Sequence, residues 1–85
     1  MRLDKFLQVS RIIKRRAVAK EIVEKNRVLI NGTIAKPSSK LKIDDILEIK
    51  FGDMTLKIKV LNLNDKVKKD EANTLYEIVE KVEGK

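Results

Sequence analysis

Eighty-five residues, 42% hydrophobic and 39% charged, allow one small core and a single domain over residues 1–85. With no cysteine and no histidine, disulfides, thiol chemistry and the commonest general base and metal ligand are excluded, so neither an enzyme nor a cofactor is expected. The net charge of +7 is lopsided: residues 1–40 hold eleven Lys and Arg against three acids, residues 41–85 nine against ten, which predicts one face that seeks polyanions.

The chain opens Met1-Arg2-Leu3-Asp4-Lys5, with an acid among the first residues and no apolar run behind it. That is not a secretory signal, and no stretch approaches the roughly 20 apolar residues of a membrane span. A cytoplasmic protein without a membrane partner is expected. Leu3, Phe6 and Leu7 follow the spacing of a short amphipathic helix. Arg2 and Lys5 share one of its flanks and predict a cationic edge. Asp4 falls in the first turn, where the helix dipole favours a carboxylate; it serves either as a helix-start acid or as the partner of an arginine on the next helix. Ser10-Arg11 reads as the break between the helices.

A second helix is predicted over about 14–25. Val18, Ala19, Ile22 and Val23 form its apolar face, Arg16 and Lys20 lie along one edge, Lys14 flanks the other, and Arg15 sits at the first turn. Residues 11–20 thus carry five of the chain's twenty basic side chains on a helix held by its oily side. No Ser, Thr, Asp or Asn stands at the expected N-cap. Asn26 suits the left-handed residue that closes a helix.

Val28, Leu29 and Ile30 then predict a strand, Asn31-Gly32 a type I′ hairpin turn, and Thr33 to Ala35 the return. Lys36 and Lys40, beside Pro37, either extend the basic patch or are simply solvated. Asp44-Asp45 reads as a turn, residues 46–51 as a strand, Gly52-Asp53 as another turn, and residues 54–60 as a half-buried strand. Leu61 and Leu63 shift the alternation by one residue and predict a bulge there. Residues 64–73 read as a loop with a short helix. The segment around Tyr76, Ile78 and Val79 fits a last strand better than a helix. The layout predicts an α+β fold, two N-terminal helices packed on a small, mostly antiparallel β-sheet.

Arg2, Lys5, Arg11, Lys14, Arg15, Arg16 and Lys20 are the candidate polyanion-binding residues, with nucleic acid the polyanion weighed. Arginine's planar fork suits phosphate, and a basic surface with few exposed aromatics reads folded RNA by shape. Phe6 and Phe51 fit core positions, which argues against stacking of single-stranded bases. A DNA-binding helix-turn-helix is the competing reading, but the second helix lacks an Asn/Gln/Ser set for base edges.

The ordered set Arg2-Leu3-Asp4-Lys5-Phe6-Leu7, Ser10-Arg11, Lys14-Arg15-Arg16, Val28-Leu29-Ile30-Asn31-Gly32 and Asp45-Ile46-Leu47 resembles the RNA-binding domain family named after small-subunit ribosomal protein S-four. The match covers about residues 1–51, and residues 52–85 are compatible extra strands. Many members carry Ser-Arg where this chain has Arg15-Arg16, so Arg16 takes the arginine's place and Arg15 replaces a capping serine. The resemblance implies a two-helix (αL-type) RNA-binding motif and a target in large ribosomal subunits that still carry peptidyl-tRNA. It further implies contacts with ribosomal RNA and the peptidyl-site tRNA, and a partner, RqcH, in C-terminal alanine tailing. Two kinds of small relative share this size: quality-control factors, and a heat-shock protein that ends in a long basic tail. The run from Met1 to Arg16, and the lack of such a tail after Val82, resemble the first. A monomer is expected.

Overall fold

The structure, a computed structural model, describes residues 1–84. Helix α1 spans Leu3–Val9 and drives Leu3, Phe6 and Leu7 into the core, where none is exposed. It stops without glycine or proline. Arg11 adopts the left-handed conformation (φ 64°), and the Ser10 hydroxyl donates to the Leu7 carbonyl at 3.3 Å.

Helix α2 spans Arg16–Glu24, starting two residues later than the sequence predicts. The delay has a cause in packing. Ile13 is buried and its N–H donates to the Leu7 carbonyl at 3.0 Å, which pins the connection across the end of α1. Lys14 is therefore in the bend ahead of the helix rather than on its edge, and Arg15 is the extended N-cap, with no side-chain cap bond. Ala19 and Val23 are buried and Ile22 partly so, but Val18 remains 39% exposed, because the core reaches only part of the predicted apolar face. Asn26 closes α2 at φ 61°; its N–H donates to Val23 and that of Arg27 to Ile22, the two-bond Schellman pattern.

Five strands follow: β1 (Val28–Ile30), β2 (Thr33–Ile34), β3 (Ile46–Phe51), β4 (Met54–Val60) and β5 (Tyr76–Glu83). They form one antiparallel sheet in the order β2-β1-β3-β4-β5. Val28, Leu47, Ile49, Ile58 and Val60 are fully buried in the core with the helices. On the opposite face charges alternate across strands. Glu48 pairs with Lys57 at 3.6 Å, Lys57 lies opposite Glu80, and Lys59 lies opposite Glu77 and pairs with Asp44 at 3.5 Å.

Asn31 and Gly32 take φ 51° and 85°, as a type I′ turn requires. Asn31 does more than turn. Its amide donates to Asp45 at 3.0 Å and accepts from the Ile46 N–H at 2.9 Å, while Asp45 accepts from the Lys42 N–H at 2.8 Å. The hairpin is thereby tied to the entry of β3. Asn31→Ala loses both bonds and puts a Cβ-only side chain at positive φ; a loss of about 2 kcal/mol is expected, read as a fall in denaturation midpoint with unchanged slope.

The bulge predicted at Leu61 and Leu63 is not there, since both residues lie beyond the end of β4. The register shift falls between Lys57 and Ile58, which face Glu80 and Ile78 and leave Val79 as the extra residue. The alternation is lost at Leu61 because the chain leaves the sheet to meet a 3₁₀ helix, Lys69–Leu75; the N–H groups of Leu61 and Asn62 both donate to the Leu75 carbonyl. The final segment is a strand, as its Tyr, Ile and Val content indicates.

Candidate nucleic-acid interface

The loop after β2 fixes where α1 begins. Leu3 and Asp4 donate to the carbonyls of Ser39 and Pro37 at 2.8 and 3.2 Å, Leu41 donates to Met1 at 3.0 Å, and Arg2 bridges Lys40 antiparallel. Lys40 thus stands across the backbone from Arg2, with its side chain exposed. Held in this way, Asp4 points inward, its side chain only 3% exposed, and becomes the hub of the surface.

One carboxylate oxygen, Oδ1, lies 3.3 Å from Arg2 Nε and accepts the Lys5 N–H at 2.9 Å. The other, Oδ2, lies 3.4 Å from Arg2 Nη2 and 3.6 Å from Arg16 Nε. Two guanidinium groups, one from the residue that caps α1 and one from the first residue of α2, are therefore clasped by one buried anion while about half of each side chain stays in solvent. Of the two roles open to Asp4, the structure selects the inter-helix pair. Fixing an arginine fork before a phosphate arrives reduces the side-chain entropy lost on binding.

The other predicted residues divide. Arg2 and Lys5 do not form one edge: Arg2 precedes α1 in extended conformation and turns to Asp4, whereas Lys5 pairs with Asp65 at 3.4 Å. Arg11 lines a shallow hollow with Gln8, Val9, Asp65 and Val67. Lys14, Arg15 and Lys20 are exposed and make no ion pair among the described residues. Asp65 was invisible to sequence reasoning, because nothing in a charged loop some sixty positions from Lys5 signals that the two meet. No group of acidic side chains suited to a metal ion occurs among the described residues.

Arg11 occupies a conformation that glycine would hold more easily, at a cost of about 1 kcal/mol for a side chain with a Cβ. Arg11→Gly is accordingly expected to raise unfolding stability by up to about 1 kcal/mol while lowering affinity for RNA. Thermal denaturation beside an RNA titration reads both, and a variant improved in both would remove Arg11 from the interface.

Two short helices that share a buried acid and present their cations above an antiparallel sheet define a compact polyanion-binding α+β module. The chain belongs to the S4 domain family, whose sequence model matches residues 1–47. It is 54% identical over 79 residues to the RQC P-site tRNA stabilizing factor of Streptococcus pneumoniae, covering 93% of this chain and 90% of that protein. Against the heat shock protein 15 homolog of Haemophilus influenzae the identity is 33% over 81 residues, covering 94% of this chain but 62% of that longer protein. Among solved structures, trimeric heat shock protein 15 of Vibrio cholerae superposes with a TM-score of 0.85 at 32% identity, covering 93% of this chain and 81% of that one. The kinship read from Met1 to Arg16, with the RqcP group of quality-control factors ahead of the heat-shock proteins, agrees with these identities.

Proposed function

We propose that this protein is a non-enzymatic RNA-binding factor of ribosome-associated quality control. It binds the large ribosomal subunit that still holds peptidyl-tRNA, contacting ribosomal RNA and the peptidyl-site tRNA, and supports tailing of the stalled chain by RqcH. Its work is in the cytoplasm, as a monomer. The observation that carries this reading is the Asp4 clasp, which sets Arg2 and Arg16 side by side in a fixed pose. Lys5, Arg11, Lys14, Arg15 and Lys20 surround it with charge, and the relatives named for stabilizing P-site tRNA supply the target. A second reading, recycling of obstructed large subunits in the manner of a heat-shock factor, is favoured by the superposition on heat shock protein 15.

The test is isolation of tagged protein with its bound particles. Large subunits that carry tRNA and RqcH are expected; free subunits alone would support the second reading. Association should weaken steeply with salt, each neutralised phosphate adding roughly 0.7–0.9 to the log–log slope. Binding insensitive to salt would contradict a phosphate grip.

A further inference from the structure

A carboxylate set among cations is a poor feature for a surface that only holds phosphates. Asp65 is such a carboxylate. It comes from the near-neutral half of the chain, pairs with Lys5 at 3.4 Å through Oδ2, and stays 46% exposed. Among the described residues no hydrogen bond to Asp65 Oδ1 is formed. Beside it lies an open hollow of about 220 Å³, with Val9 and Val67 as apolar walls and Gln8, Arg11 and Asp65 as polar lining. That volume is below the roughly 300–1,000 Å³ of sites for drug-sized ligands and suits one flat ring system.

RNA offers one component that is flat, uncharged and rich in N–H donors, the edge of an unpaired base. The bases differ in the order of groups along that edge. Guanine presents a carbonyl acceptor, O6, next to two donors, N1–H and the N2 amino group. Adenine presents the reverse, a donor next to an acceptor, and cytosine and uracil also break the pattern. An ammonium held beside a carboxylate, Lys5 with Asp65, is the complement of guanine: Lys5, which adjoins the hollow through its 3.4 Å pair with Asp65 and is not part of its lining, would take O6, and the carboxylate would accept from N1–H and N2–H. A carboxylate has about four acceptor sites, so its pairing with Lys5 leaves room for both. Val9 and Val67 offer the ring its apolar contact within a mainly polar lining, and Arg11, also on that lining, is available to an adjoining phosphate.

We propose that the hollow between α1 and the loop that carries Asp65 is a base slot that selects a single unpaired guanine in the bound RNA. The proposal rests on the RNA-binding reading above and adds to it the part of the surface that reads a base rather than a phosphate.

The experiment measures affinity of the intact protein for three stem-loop RNAs that differ at one unpaired position, carrying guanine, inosine (which lacks the N2 amino group) or adenine. The wild type is expected to prefer guanine to adenine by roughly tenfold to a hundredfold, with inosine between them. Asp65→Asn, and separately Lys5→Ala, should reduce that preference to within about twofold, with the guanine RNA losing the most. Wild type that binds all three alike would overturn the slot and leave the arginine clasp standing. Asp65→Asn that strengthens binding to every RNA equally would also overturn it, showing a carboxylate that merely repels. Wild type that binds none of the three would overturn the RNA-binding reading, and the slot with it.

Discussion

Asp4→Asn is expected to weaken association with large ribosomal subunits by about tenfold, although it makes the protein more basic by one charge. The reason lies in geometry rather than in total charge. Asparagine fills the same space and keeps an acceptor, but it no longer attracts Arg2 and Arg16 strongly enough to hold both forks still. Folding stability should drop by about 1–2 kcal/mol, less than the 3–5 kcal/mol typical of breaking a fully buried pair, because both guanidinium groups are half in water and rehydrate. Asp44→Asn is the control, since it makes the same charge change beside Lys59 on the outer face of the sheet, at a positive φ that asparagine tolerates. Its affinity should hold or rise slightly. If both variants bind more tightly, the Asp4 carboxylate only opposes RNA and the clasp has no role in binding.

Arg16→Ala and Arg2→Ala should each reduce that association by about tenfold or more and lower the salt slope by about one, with the fold retained, because the remaining arginine still covers Asp4. The two do not combine simply. Removing both leaves a buried carboxylate with no cationic partner, so the double variant should lose several kcal/mol more stability than the single variants together. Adding Asp4→Asn to the double variant should recover much of that stability without recovering affinity. Sedimentation with large subunits across a salt series, beside denaturant unfolding, separates the two losses. Undiminished sedimentation of the single variants would place the RNA elsewhere on the molecule.

Much of this architecture was legible because local chemistry and tertiary demand agree. The Leu3, Phe6, Leu7 spacing, Asn31-Gly32 and the alternation of residues 54–60 each state one conformation, and the fold uses it. The misreadings share a different cause. The helix starts late because Ile13 is needed in the core, Val18 is uncovered because the core reaches only part of its helix face, and the bulge lies at Val79 because a partner strand sets the register. Each depends on something distant along the chain. Within the interface, the residue types were visible but their grouping was not. Arg2 and Arg16 meet through an acid that periodicity alone left with two roles, and Lys5 meets an aspartate that no motif announces.

The outer side of the sheet has a consequence for the way RNA arrives. Lys57 and Lys59 pair with Glu48 and Asp44 and lie opposite Glu80 and Glu77, so that side is electrically quiet, while the helical side keeps a surplus. A molecule charged evenly all round would be captured in many attitudes and would have to tumble against the polymer before docking. Here the lopsided field acts as a rudder: it turns the incoming protein during approach, so a larger share of first collisions is productive and the arrival rate falls as salt screens it.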